Sequence, residues 1–152
     1  SLTKDLGVEK VALVKGVVHY AFDTSAVDNI EPGRYEQFDG PIIPCDEKLL
    51  AAARKISGGE LPEVICASAD KFVAESDEKR ALRETYGASV CEMESAGVLL
   101  TCKNAGVPCL IVKAVSDGEG GAEDYVKLAR RAAGQYAGLI TKLLTDIPDM
   151  GI

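Results

Sequence analysis

Cys109-Leu110-Ile111-Val112-Lys113-Ala114-Val115 runs straight into Ser116-Asp117-Gly118-Glu119-Gly120-Gly121. The first seven residues are apolar but for one lysine, with no alternation of apolar and polar positions. A strand with one wet face alternates, whereas one covered on both faces does not. The stretch therefore reads as a strand buried on both sides and ended by a polar, glycine-rich turn. Working outward, Gly106-Val107-Pro108 is a stop signal for a helix expected from Met93 to Ala105. Ser89-Val90-Cys91 reads as a brief strand and Val64 to Ala69 as a second short buried one. Between them, Ser76 or Asp77 is expected to cap a helix carrying Ala81, Leu82 and Tyr86, which ends at Gly87.

Lys10 to Tyr20 is β-branched and apolar, which predicts a strand with a break at Gly16 and a continuation toward Val27. Pro32-Gly33, Asp39-Gly40-Pro41 and Pro44 make Asn29 to Cys45 a long loop. Asp46 is the expected cap of a helix through Leu49, Leu50, Ala53 and Ile56, stopped by Gly58-Gly59. A last helix is expected from Ala122 to Leu144, with Leu128, Ala132, Tyr136, Leu139 and Leu143 at helical spacing. Strands alternating with helices, the strands lacking alternation, imply a single α/β domain over residues 1–152 with a largely parallel central sheet. In such sheets ligands sit at the carboxyl ends of strands. No repeat, low-complexity tract or linker interrupts the chain, and Ser1-Leu2 is set aside as a possible cloning scar.

Composition narrows the function. The chain has 152 residues, 47% apolar and 27% charged, with net charge −7. An acidic surface repels phosphate backbones, which argues against nucleic acid or an anionic membrane as partner. No apolar run reaches the roughly 20 residues that span a bilayer, and no signal peptide is read at the start. A cytoplasmic protein is expected. Cys45, Cys66, Cys91, Cys102 and Cys109 include no Cys-x-x-Cys pair, so they read as reduced, buried thiols. With His19 the sole histidine, neither a metal site nor a His-based triad is expected, and acid–base work falls to carboxylates.

Three strand ends carry polar clusters: Asp70-Lys71-Phe72-Val73, Glu92-Met93-Glu94 and Ser116-Asp117. Each has an ordinary explanation. Glu92 and Glu94 suit the first turn of a helix, Ser116-Asp117 suits a turn, and Phe72 suits a core. The glycines after Asp117 lack the Gly-Lys-Ser/Thr ending of a phosphate loop. Their coincidence where one pocket would form favours a site.

The stretches Ser68-Ala69-Asp70-Lys71-Phe72-Val73, Val90-Cys91-Glu92-Met93-Glu94-Ser95-Ala96-Gly97 and Val107-Pro108 through Ser116-Asp117 resemble the purine nucleoside phosphorylase/uridine phosphorylase superfamily. Within it the 5′-methylthioadenosine/S-adenosylhomocysteine nucleosidases are most similar, and the segment Tyr20 to Ala26 fits them too. The resemblance implies a three-layer α/β/α fold around a mixed, largely parallel sheet, without a cofactor. It implies cleavage of the bond between a purine, adenine-type by preference, and its ribose. Asp117 would then donate a proton to the leaving base, which requires a raised pKa. Glu94 would accept the 2′- and 3′-hydroxyls, Met93 would pack on the sugar with Glu92 nearby, and Ser116 would line the site. Phe72 would stack on the base while backbone groups of Phe72 and Val73 read its edge.

The departures carry weight as well. The resemblance implies that this chain begins after roughly the family's first third, which holds the groups that activate water or phosphate. Lys113 stands where an arginine usually helps hold the attacking water, and a lysine keeps charge but loses the planar fork. Ala69 replaces a glycine, and Val27 an aromatic that often covers a neighbouring subunit's substrate. Without that third, the strands at Val11 to Val18 and Leu110 to Val115 are expected to have bare edges, which implies a homo-oligomer, most simply a dimer through residues 10–30. A catalytically incomplete remnant that binds purine or ribose without turnover is the competing expectation.

Overall fold

The computed structural model describes residues 1–3, 5–7, 10–116 and 137–147. Along the chain come β1 (Val11–His19), α1 (Ser25–Asp28), β2 (Ile42–Pro44), α2 (Glu47–Ile56), β3 (Glu63–Ser68), α3 (Ser76–Tyr86), β4 (Ala88–Glu92), α4 (Ser95–Asn104) and β5 (Ile111–Ala114). Residues 137–147 are helical as well.

β1 is the hub of a mixed sheet. It runs parallel to β3, with Leu13 opposite Glu63 and His19 opposite Ser68, and β3 runs parallel to β4. Along its other edge β1 meets two antiparallel partners end to end, β5 beside Val11 to Val14 and β2 beside Gly16 to Val18. Leu13, Val14, Val17 and Val18 are all fully buried, as a strand flanked on both edges and covered on both faces requires.

A bulge settles which residue faces which layer. Val14 pairs with Val64 but Gly16 with Ile65, so two residues of β1 oppose one of β3 and the alternation resets. Ala12, Val14 and Val17 thereby share one face with Val64, Cys66 and Val90, against Ala96 and Leu99 of α4. On the opposite face Leu13 meets Leu50 and Ala53 of α2 and Leu143, while Val18 joins Ala67, Ala88 and Leu82 of α3. Helices on both faces give the three-layer α/β/α arrangement.

The helix punctuation follows the sequence closely. Asp46 Oδ1 accepts the Leu49 N–H at 2.9 Å, capping α2. Beyond its end, Gly58 and Gly59 take φ of 69° and 76°, and Gly87 takes 66° after α3. At the start of α3 the cap position is Glu75 rather than Ser76 or Asp77, without a side-chain cap bond.

Other boundaries differ from the sequence reading. β1 ends at His19, because the chain turns there, with Phe22 N–H on His19 O, and enters the short α1. The stretch from Asn29 to Cys45 is not all loop: β2 lies within it, its Ile43 fully buried. α4 starts at Ser95, two residues later than expected. β5 begins at Ile111, since Cys109 O is taken by the Asp46 N–H at the start of α2. Its burial is partial along most of its length. The edge of β1 is not bare, being covered by β2, β3 and β5. Leu2, set aside above, is buried and donates its N–H to Ser89 O at 2.9 Å.

All five cysteines are free thiols; Cys45 and Cys66 are buried and the other three half-buried. Burial pushes the Cys45 thiol up to about 12. Among the described residues no helix is long and apolar enough to cross a membrane.

Candidate functional site

β3 and β4 end side by side, Ser68 opposite Glu92, so the segments that follow them meet. Phe72 is 47% exposed and Met93 44%. Apolar groups of that size are costly to leave in water. They line, with Lys71, Val73, Glu92, Glu94 and Ser116, a cavity of about 120 Å³. A neighbouring cavity of about 190 Å³ shares Cys91, Glu92, Glu94 and Ser116 and reaches Lys113. A third, apolar groove of about 610 Å³ lies between α4, β5 and residues 137–147 and touches the site at Glu94 and Lys113.

The carboxyl-end rule found this place for an incomplete reason. β5 is antiparallel to β1, and Lys113 pairs with Ala12, at the opposite end of β1 from His19. In a flat sheet Lys113 and Ser116 would stand far from Glu92. Ile111 and Val115 both pack in the core against α4, so Lys113, between them in the alternation, faces the same side. Its Nζ reaches Glu92 Oε2 at 2.6 Å. The twist of the sheet curls two diagonal corners toward α4 and closes the site.

Glu92 is the electrostatic centre of the arrangement. Its carboxylate accepts the N–H of Glu94 at 3.2 Å, the N–H of Ser95 at 3.0 Å and the Ser95 hydroxyl at 2.8 Å, besides the Lys113 ammonium. Burial alone would raise its pKa, but hydrogen bond and charge from Lys113, with hydrogen bonds from Ser68 and Ser95, bring it down to about 2. Ser68 is buried, and its Oγ accepts the Ala96 N–H at 3.0 Å. The first turn of α4 is thus capped by groups from the ends of β3 and β4.

Glu94 has a different environment. It is exposed, lines all three cavities, and among the described residues nothing pairs with its carboxylate. Of the residues singled out in the sequence, Phe72, Val73, Glu92, Met93, Glu94 and Ser116 therefore share one cavity, with Lys113 in the adjoining one. Val73 contributes mainly from the core, being buried beside Leu82. Lys113 directs its ammonium at Glu92. Asp117 lies outside the described residues, directly after Ser116. His19 lines neither cavity; its Nδ1 is 2.7 Å from the Tyr35 hydroxyl, beside the stacked Phe22 and Tyr35 rings.

Ser68 and Ser95 were not singled out. The signal for them lay in Lys113 and Glu92: a lone cation inside an apolar strand needs a carboxylate partner, and a buried carboxylate needs hydroxyl or amide donors.

Comparison with known proteins gives concordant results. The family model described as the phosphorylase superfamily matches residues 1–145. A Helicobacter pylori protein named aminodeoxyfutalosine nucleosidase is 33% identical over 77% of this chain and 51% of its own length. A Shewanella halifaxensis protein named 5′-methylthioadenosine/S-adenosylhomocysteine nucleosidase is 29% identical over 74% of this chain and 50% of its own. The solved structure of a Helicobacter pylori futalosine hydrolase superposes with TM-score 0.87 at 28% identity, covering 96% of this chain and 64% of that one. The chain spans about half the length of these curated relatives.

Proposed function

Starting from a chain that belongs to the phosphorylase superfamily, we propose that it binds an adenine-type purine nucleoside and acts on the N-glycosidic bond. The observation that carries this reading is the position of Glu94, a carboxylate unpaired among the described residues and opening on the same cavity as Phe72, Met93 and Ser116. Phe72 stacks on the base, and backbone groups of Phe72 and Val73 read its edge. Met93 packs on the sugar and Glu94 accepts the 2′- and 3′-hydroxyls. Asp117, the next residue after Ser116, gives its proton to the departing purine.

The division of labour suits the chemistry. As the bond breaks, the ribose becomes cationic and the base gains electron density. An anion under the sugar and an acid at the base are each worth most in that state. Substrates of the 5′-methylthioadenosine or S-adenosylhomocysteine type, with water as acceptor, are the version supported by relatives named as nucleosidases. The protein works in the cytoplasm as a homodimer. Its contact is the segment around Val27, which is 89% exposed; a monomeric mass by light scattering at micromolar concentration would contradict the dimer.

The test is thermal shift with adenine, 5′-methylthioadenosine and phosphate, followed by chromatographic detection of released adenine. The nucleoside should raise the melting temperature and adenine should accumulate. Asp117→Asn should abolish release at an unchanged melting temperature, and release at the wild-type rate by that variant would overturn the assignment. Binding without release would instead select a nucleoside-binding module without turnover.

A further inference from the structure

We propose that Lys113 and Glu92 form a positioning strut, which aims Glu94 at the ribose without either residue touching the substrate. The inference rests on the nucleoside-binding reading and adds to it what holds Glu94 in position.

The Glu92 carboxylate is crowded at one oxygen, Oε2. That oxygen receives the Lys113 ammonium at 2.6 Å, the Ser95 hydroxyl at 2.8 Å and the Glu94 N–H at 3.2 Å, and the Ser95 N–H bridges both oxygens at 3.1 and 3.0 Å. A sugar hydroxyl approaching Oε2 would have to displace one of these donors, most of them charged or buried. Glu94, by contrast, has its backbone N–H held by Glu92 and its side chain unpaired among the described residues. Fixing the peptide at that point fixes the direction in which the side chain leaves it. Ser95 and Ala96, whose amides are held by Glu92 and Ser68, lock the turn that follows.

Lys113 adds the long-range part. It stands on β5, three residues before Ser116, whereas Glu92 ends β4 and leads into Met93 and Glu94. Their ion pair ties together two chain segments that both line the cavity. Cutting it leaves every ligand-facing group in place chemically and loosens their spacing, and small displacements of positioned groups cost much of their effect.

Two readouts on the full chain test this. By hydrogen exchange without ligand, Lys113→Met and Glu92→Gln should speed exchange of the Glu94, Ser95 and Ala96 amides at least tenfold, with those of α2 unchanged. Lys113→Arg should retain protection. By calorimetry, Lys113→Met should weaken 5′-methylthioadenosine at least tenfold and adenine less than twofold, because only the former carries the ribose. Unchanged exchange at Glu94 to Ala96, or equal loss for both ligands, would overturn the strut. Accelerated exchange in the variants, together with no nucleoside binding by the wild type, would support the strut and overturn the proposed ligand. Should Lys113→Met fail to fold, Glu92→Gln and Lys113→Arg carry the same comparison.

Discussion

Glu92 and Glu94 are two residues apart, the same in chemistry and on the same cavity, yet one is tied to Lys113 and Ser95 and the other has no partner among the described residues. What separates them is where their partners come from. Lys113 is twenty-one residues downstream of Glu92 and Ser68 lies on another strand, so nothing local in Glu92-Met93-Glu94 announces the difference. The sequence showed that acidic groups gather at strand ends, and the structure distributes their roles. Under the proposed function, Glu94→Gln removes a charged hydrogen-bond acceptor from the sugar, worth about 1.5–3 kcal/mol. Affinity for 5′-methylthioadenosine measured by calorimetry should fall roughly 10- to 100-fold, with adenine binding unchanged. A parallel loss for adenine would show that Glu94 acts on the whole cavity and not on the ribose.

At the scale of elements, what was legible depended on how local the cause is. The cap at Asp46 and the stops at Gly58-Gly59 and Gly87 involve neighbours within a few residues, and all were readable. Asp46→Ala should lower stability by about 1 kcal/mol, seen in the urea midpoint. β2 was missed, since three residues carry no periodicity and are strand only because β1 offers an edge. The direction of β5 was equally hidden. An apolar run without alternation says that both faces are covered, not which way the strand runs. Gly16 illustrates a signal that was read correctly as a break while its reason stayed invisible. A Cβ there would lie 2.6 Å from Ile42 Cγ2 and 3.2 Å from Ile43 O, so β2 approaches too closely for any side chain. Gly16→Ala should therefore cost roughly 1–3 kcal/mol. Gly40→Ala, with nothing within 4 Å, should stay within about 0.5 kcal/mol in the same urea titration. Equal midpoints for the two variants would mean that β2 yields without cost.

For the whole molecule, the strut makes stability depend on pH in a defined window. Glu92 has a pKa of about 2 in the folded chain against an ordinary 4.5. A carboxylate depressed by folding contributes stability that is complete above its unfolded value and is lost as pH falls toward its folded one. The loss should therefore run from about pH 4.5 down to about pH 2. Discounted for partial exposure, the contribution is on the order of 2 kcal/mol. Other carboxylates shift the same way: Glu63 through its hydrogen bond to Arg54, and the exposed Asp23 and Asp28 through hydrogen bonds to Ser25 and Ile30. The wild-type slope alone is thus not diagnostic, and the difference from a variant is. Glu92→Gln removes the titrating group while keeping its shape. Unfolding free energies from urea titrations at pH 6, 4 and 2 should differ between wild type and Glu92→Gln at pH 6 and converge by pH 2. Lys113→Met should flatten the slope similarly, because without the ammonium nothing of comparable strength opposes the burial that raises Glu92. Parallel curves for wild type and Glu92→Gln would mean that the pair adds no net stability. In that case the curled sheet is held closed by the α4-facing core of Val14, Val17, Leu99 and Ile111 alone.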